Sequence, residues 1–339
     1  MEKFSKWRDA GTGIQPFLQP VPARSQQQGL KSLLNAAKNY LVGPLVALVR
    51  LAVLSVAGAL DALTASAGAL LIVPVVRRPW MRLTRLLWAR VSLFALGFYR
   101  IDVRAVSLQK GRRATGNSAT VKRAAVESGD IVVANHASYV DVLVLVAMYN
   151  PVFVEIDNAT CRVRQVSMWQ ALRAPARQTP ALLPAAEARS LKEITEMARV
   201  QRLGPVVVFA ENATTNGRAL LQLLPVFGEA ENLDEKARIH VMAFRYPFES
   251  FSPAYSVGNQ FAHVFQVCCQ MYNSVTVRVL AEGEAPDVGD SAMLCDNDRE
   301  PVDLDEAVQE CLVGVSRLRV TRLTAMDKRD FLKFFYSQK

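Results

Sequence analysis

From Gly129 onward the apolar residues come in short continuous runs separated by stretches of helical spacing. The runs Ile131 to Ala134, Val152 to Ile156, Val206 to Ala210, Ile239 to Phe244 and Val275 to Leu280 predict strands, and Ile101 to Ala105 predicts a shorter one upstream. Between and after them the spacing predicts helices over Val140 to Ala147, Ala186 to Arg202, Gly258 to Tyr272 and Leu304 to Val320. Near-continuous apolar strands alternating with helices are buried on both faces. The class expected is therefore α/β, with a mostly parallel central sheet covered by helices.

The amino-terminal part has a different pattern. Residues 1–30 are polar, interrupted by Gly11, Gly13, Pro16, Pro20 and Pro22, and read as a disordered tail. From Leu41 to Val76 the only charges are Arg50 and Asp61, a run longer than the roughly 20 residues that cross a bilayer. Both flanks are basic (Lys31 and Lys38; Arg77, Arg78, Arg82, Arg85 and Arg90), which favours a membrane-associated helical hairpin with both ends on the cytosolic side, Asp61 marking its turn. Leu83 to Tyr99, apolar with spaced arginines, reads as an interfacial helix. The Gly/Ser/Thr-rich loop with Lys110, Arg112, Arg113, Lys122 and Arg123 reads as a solvated insertion, and Asp287 to Asp305 as an acidic linker. The amphipathic end, Asp327 to Tyr336, is suited to docking on the domain or on a bilayer. The organisation expected is a tail at 1–30, a membrane-associated helical region at 31–99, an α/β domain at 100–285, a linker at 286–303 and carboxy-terminal helices at 304–339.

Composition narrows the function classes. A net charge of +9 suggests anionic partners, and the long apolar segment favours a membrane and lipids over nucleic acid. No aromatic residues are interleaved with the basic loop for base stacking. The five cysteines show no C-x-x-C spacing, so neither a zinc site nor a disulfide framework is expected, and a reducing environment is.

Two stretches carry candidate chemistry. Asn135-His136-Ala137-Ser138-Tyr139-Val140-Asp141 follows one predicted strand and opens a predicted helix. An imidazole takes a proton from an alcohol near neutral pH, and a carboxylate fixes its tautomer. Residues five apart on a helix point about 140° away from each other. His136 and Asp141 therefore meet only if His136 lies in the loop before the first turn, with Asn135 or Ser138 as cap. The second stretch, Phe209-Ala210-Glu211-Asn212-Ala213-Thr214-Thr215-Asn216-Gly217-Arg218, places a carboxylate and small polar residues at the carboxyl end of a buried strand, where open α/β sheets build ligand sites. Taken alone, it also suits a polar turn with Glu211 paired to an arginine.

Together the two stretches, His-x4-Asp and then Phe-x-Glu with Thr-Thr-Asn-Gly-Arg, after a membrane segment, resemble the glycerophospholipid acyltransferase family, in particular the fungal lysophosphatidic acid:oleoyl-CoA acyltransferases. Ala243-Phe244-Arg245-Tyr246-Pro247 and Ser252-Pro253-Ala254-Tyr255 are similar to the strand and loop that come next in that family. The resemblance implies transfer of an acyl group from acyl-CoA to a lysophospholipid, lysophosphatidate above all. His136 would be the general base and Asp141 its orienter. Glu211, Thr214, Thr215, Asn216, Gly217 and Arg218 would position the acceptor. Acyl-CoA is then a co-substrate, no metal or bound cofactor is implied, and the place is the cytosolic face of the endoplasmic reticulum or a lipid droplet. Helix-end electrostatics point to backbone amides after His136 as oxyanion donors. The chain departs from the family at Asn212 and Ala213, where glycine and threonine are usual, and at Ala210 and Val241, where prolines are. The family's phosphate-binding arginine falls on Pro184, with Arg173, Arg177 and Arg189 nearby. The altered block is also similar to that of catalytically weak or inactive acyltransferase-like scaffolds of lipid droplets and endoplasmic reticulum.

Overall fold

The computed structural model describes residues 3–22, 38–71, 73–108, 122–177, 187–228, 233–234, 236–286 and 303–338. Lys110, Arg112, Arg113, Pro184 and most of the expected acidic linker, Asp287 to Val302, lie outside the described residues. After a turn of π-helix, Lys38–Val42, come α1 (Gly43–Leu70) and α2 (Pro74–Ala95). The α/β part continues as β1 (Ile101–Val106), β2 (Ile131–Ala134), α3 (Tyr139–Tyr149), β3 (Val152–Ile156), β4 (Val163–Val166), α4 (Met168–Arg173), α5 (Leu191–Gln201), β5 (Val206–Val208), β6 (Ala219–Leu220), β7 (Ile239–Arg245), α6 (Gln260–Cys269), β8 (Val275–Leu280), α7 (Leu304–Ser316), β9 (Arg319–Val320) and α8 (Ala325–Ser337).

Among the described residues the main sheet has the order β1-β8-β7-β2-β5-β3-β4. The central strands β7, β2, β5 and β3 are parallel, β8 runs antiparallel to β7 with β1 parallel to it, and β4 folds back antiparallel on β3. Alternation along β2 divides the core. Val132 and Ala134 face one apolar layer with residues of α3 and α6, while Ile131 and Val133 face the other with residues of α5 and α7. The helix at 304–316 is thus part of the sheet's cover.

The apolar run expected to fold into a hairpin bent at Asp61 forms instead the single helix α1, and a hairpin is made only with α2, which takes in Leu83 to Ala95 of the stretch expected as an interfacial helix. Helix α1 passes through Asp61 unbroken, because Ala57, Gly58, Ala59, Leu60, Ala62 and Leu63 around it include good helix formers and the breaker Pro74 comes only after Leu70. The second arm is α2, whose Trp80 and Trp88 indoles donate to the Thr64 carbonyl and hydroxyl, each at 3.1 Å. Both charges of α1 are spent on the α/β domain. Arg50 donates to the carbonyls of Cys268 (3.1 Å), Gln270 (2.5 Å) and Met271 (3.0 Å) at the end of α6, and Asp61 Oδ2 accepts the Trp169 indole of α4 at 3.1 Å. The helix therefore lies along the domain and turns its Leu45, Leu48, Val49, Val56 and Leu63 outward.

The tail expected at 1–30 is corrected over 3–22. Trp7 and Phe17 are buried against Leu221 of the block after β6 and Phe331 of α8. Asn216 holds the segment, donating its amide nitrogen to Pro16 O (2.8 Å) and its side-chain Nδ2 to Gln15 O (2.7 Å) and Leu18 O (2.9 Å). A segment broken by prolines and glycines forms no α-helix or strand. It is nonetheless ordered once its aromatic rings are buried and its carbonyls find side-chain donors.

Candidate active site

The loop after β2 is built to hold one imidazole. Asn135 continues the sheet by pairing with Phe244 of β7, its Oδ1 accepting Phe244 N at 2.7 Å and its Nδ2 donating to Phe244 O at 3.3 Å. Ser138 caps α3, accepting Val140 N at 3.3 Å, and its hydroxyl donates to Pro253 O at 2.7 Å. Asp141, three residues on, reaches back to Ser138 N at 2.8 Å and completes a capping box. The same Oδ2 takes Ala137 N at 2.8 Å and the His136 Nδ1 at 3.1 Å. His136 stands two residues before the cap, outside the helix, which is how a five-residue spacing brings the two side chains together.

Asp141 is fully buried, and its other oxygen accepts the Tyr246 hydroxyl. Burial, together with the neighbouring Asp141 charge, holds the Tyr246 phenol well above its ordinary range, so it remains a donor. With amides and a phenol already directed at the carboxylate, the tautomer of a neutral imidazole that suits this site carries its proton on Nδ1, toward Asp141, and its lone pair on Nε2. The ring is stacked on Phe209, centroids 4.1 Å apart and planes at 17°, with Phe153 behind Phe209 at 6.5 Å. Phe209 and Tyr246 are site residues to which sequence reasoning assigns no role, although both lie inside the stretches that carry the resemblance.

The amides expected to stabilise an oxyanion are occupied. Those of Ala137 and Ser138 point at Asp141, and that of His136 donates to Glu211 Oε1 at 3.0 Å. The capping box uses the very donors that helix-end reasoning made available.

The block after β5 divides its tasks differently from the expectation. Glu211 has no exposed surface; its two oxygens accept His136 N (3.0 Å) and Leu221 N (2.8 Å), so it braces the His136 loop and is not among the residues that line the pocket of His136. Burial pushes its carboxyl up to about 8, against the pull of the two amides and of Lys328. Thr215 N donates to His136 O at 3.0 Å. Asn216 is spent on the amino-terminal segment. Gly217, at φ +71°, and Arg218 line a separate recess with Ala137, Arg245 and Tyr246, and Arg218 also donates to Val21 O at 3.1 Å. Of the six positions expected to hold the acceptor, Thr214 alone lines the pocket of His136.

That pocket is walled by His136 and Phe209, by Val166, Gln170 and Ala171 around α4, by Asn212, Ala213 and Thr214, and by Ala325, Lys328, Arg329 and Leu332 of α8. Arg177 also lines it, paired with Glu155. Arg173 and Arg189 do not line it, and Arg189 instead bridges Val163 by backbone bonds of 2.9 and 3.0 Å. Sequence reasoning misses Lys328 and Arg329 because α8 reads from its pattern as a docking helix with no chemistry of its own. The other two histidines are structural. His240 bonds Asp130 at 2.9 Å, and His263, bonded to Tyr139 at 3.0 Å, is lowered to about 4 by burial. Among the described residues no group of three or more His, Cys, Asp and Glu is gathered to hold a metal ion.

The departure at Asn212 has a structural reason. Its φ is +49°, the left-handed region that glycine occupies freely and asparagine tolerates better than most residues. Its side chain offsets the strain by donating to Ile156 O at 2.9 Å and Asn158 Oδ1 at 2.6 Å.

No family model matches the chain. It is 28% identical to a Schizosaccharomyces pombe protein provisionally named lysophosphatidic acid:oleoyl-CoA acyltransferase, over an alignment of 355 residues taking in 98% of this chain and 97% of that one. Among solved structures it is similar, at a TM-score of 0.37 and 12% identity, to the 1-acyl-sn-glycerophosphate (LPA) acyltransferase PlsC from Thermotoga maritima, over 85% of this chain and 99% of that one.

Proposed function

We propose, from the premise that this chain resembles the glycerophospholipid acyltransferases along its whole length, that it transfers an acyl group from acyl-CoA to a lysophospholipid, with lysophosphatidate as the acceptor. The observation carrying this reading is the pair His136 and Asp141, buried at 3.1 Å with the imidazole lining a pocket. In the reaction, His136 Nε2 removes the acceptor's hydroxyl proton while that oxygen attacks the thioester carbonyl carbon. The new C–O bond replaces the C–S bond, and the thiolate leaves as CoA, taking the proton back from the imidazolium. Asp141 holds the Nδ1 proton and stabilises the imidazolium meanwhile. No residue is acylated along the way.

The relative named for lysophosphatidic acid and oleoyl-CoA supports the choice of acceptor and donor. The outward apolar side of α1, flanked by the exposed arginines of α2, supports attachment to the face of a bilayer, where a lysolipid enters laterally and the CoA moiety stays in the cytosol. The endoplasmic reticulum or a lipid droplet would supply such a surface. The scaffold alternative rests on Asn212 and Ala213. Asn212 holds its turn by two side-chain hydrogen bonds, which favours an intact loop and the enzymatic reading.

The test is transfer from oleoyl-CoA to lysophosphatidate by purified wild type and His136→Ala. The variant is expected to lose about 100- to 10,000-fold in rate while still binding membranes. A wild type that acylates no member of a lysophospholipid panel would end the proposal.

A further inference from the structure

Lys328 is the most deeply buried cation at the pocket, 4% exposed, yet it has no acid of its own. Its Nζ donates to Thr214 O at 2.7 Å and Thr214 Oγ1 at 2.5 Å, both neutral acceptors, and an ammonium has three protons to give. Among the described residues no carboxylate lies within ion-pair distance of it. The nearest acid behind it, Glu211, already has both oxygens on backbone amides and is held high by burial. Burial lowers the Lys328 ammonium to about 7, so its charge is poorly compensated as it stands. Arg329, its neighbour on α8, lines the same pocket; its Nε is engaged by Asp330 at 3.2 Å, an edge contact that leaves the guanidinium's Nη groups. The opposite wall is balanced, since Arg177 faces Glu155. The surplus positive charge of the pocket therefore sits on α8, next to the Thr214-Thr215 step that also holds the His136 carbonyl.

We infer that Lys328 and Arg329 form a phosphate subsite of the pocket. Lysine supplies a point charge and arginine a planar fork, a combination suited to an oxyanion with several acceptors. The inference rests on the acyltransferase reading for the identity of the ligand. Both substrates of that reaction carry phosphate, the acceptor as a monoester and CoA in its nucleotide part. The alternative role for Lys328 is a strut joining α8 to the Thr214 loop.

Kinetics separate these cases. Lys328→Met and Arg329→Gln are assayed with lysophosphatidate or monooleoylglycerol as acceptor, and with oleoyl-CoA or oleoyl-pantetheine as donor. Each variant is expected to lower one selectivity ratio by about 10- to 100-fold in kcat/KM, through KM, the loss of a charged hydrogen bond. A fall in the lysophosphatidate-to-monooleoylglycerol ratio assigns the site to the acceptor's phosphate; a fall in the oleoyl-CoA-to-oleoyl-pantetheine ratio assigns it to CoA. Both ratios unchanged would overturn the subsite and leave a strut. Where Lys328→Met fails to fold by circular dichroism, the half-buried Arg329→Gln decides by the same ratios. Should the wild type acylate nothing, the acyltransferase reading falls separately, and the subsite is judged by thermal protection of the full chain. Glycerol 3-phosphate and coenzyme A are the probes: a rise in Tm of wild type with either, lost in Arg329→Gln, supports the subsite, and no rise with either overturns it.

Discussion

Glu211 braces the loop of His136 without lining its pocket. With one oxygen on the amide of His136 and the other on that of Leu221, it ties the loop after β5 to the loop after β2. Glu211→Gln keeps one acceptor and turns an amide group toward the other backbone N–H, leaving a buried donor facing a donor. The expected cost is about 1–3 kcal/mol of stability, read by denaturant unfolding. Activity should fall through kcat as the imidazole shifts, with the acceptor KM unchanged. A direct ligand of the acceptor would behave in the opposite way, moving KM and sparing stability.

At the scale of elements, the segment 3–22 and helix α8 depend on each other. Phe17 lies in one aromatic cluster with Trp7 and Phe331, and the polar side of the segment is held by Asn216. Burying a phenylalanine in this way contributes about 3–5 kcal/mol. Phe17→Ala should therefore release the segment without unfolding the sheet. Hydrogen exchange checks it: amides of 3–22 and the exposed side of α8 should exchange faster, while β2, β5 and β7 keep their protection. Equal loss of protection throughout would mean that the segment is integral to the domain's stability.

At the scale of the molecule, the hairpin and the domain form one body with an apolar outer side. Arg50 and Asp61, the two charges that interrupt the apolar run, are contacts to the domain, so the outward side of α1 presents Leu45, Leu48, Val49, Val56 and Leu63, while α2 beside it exposes Arg77, Arg78, Arg82 and Arg90. Each leucine moved from water into a bilayer contributes about 2 kcal/mol. Leu48→Ser with Leu63→Ser should then weaken co-sedimentation with phospholipid vesicles by about 100- to 1000-fold, with the circular dichroism of the α/β domain unchanged. Undiminished sedimentation would show that attachment lies elsewhere on the surface.

What is legible in the sequence is what local pattern encodes. Apolar runs and helical spacing carry the α/β class and the central strands, since each strand must be buried on both faces and each helix on one. The position of His136 ahead of its helix is also local information, from a cap at Ser138 and the geometry of a five-residue spacing. Boundaries are less legible: β4, α4 and the short pair β6 and β9 lie in stretches too brief to show a period. What only the tertiary structure decided are pairings between segments far apart in the chain. Tyr246 reaches Asp141 across 105 residues, Lys328 reaches Thr214 across 114, and Asn216 reaches Gln15 across 201. None of these partners has a periodicity that announces the other, because each bond satisfies a polar group that folding itself has buried. The sequence by itself therefore determined the scaffold and the pairing of His136 with Asp141, and the assembled sheet decided which of the polar residues around that pair face the pocket and which hold it together.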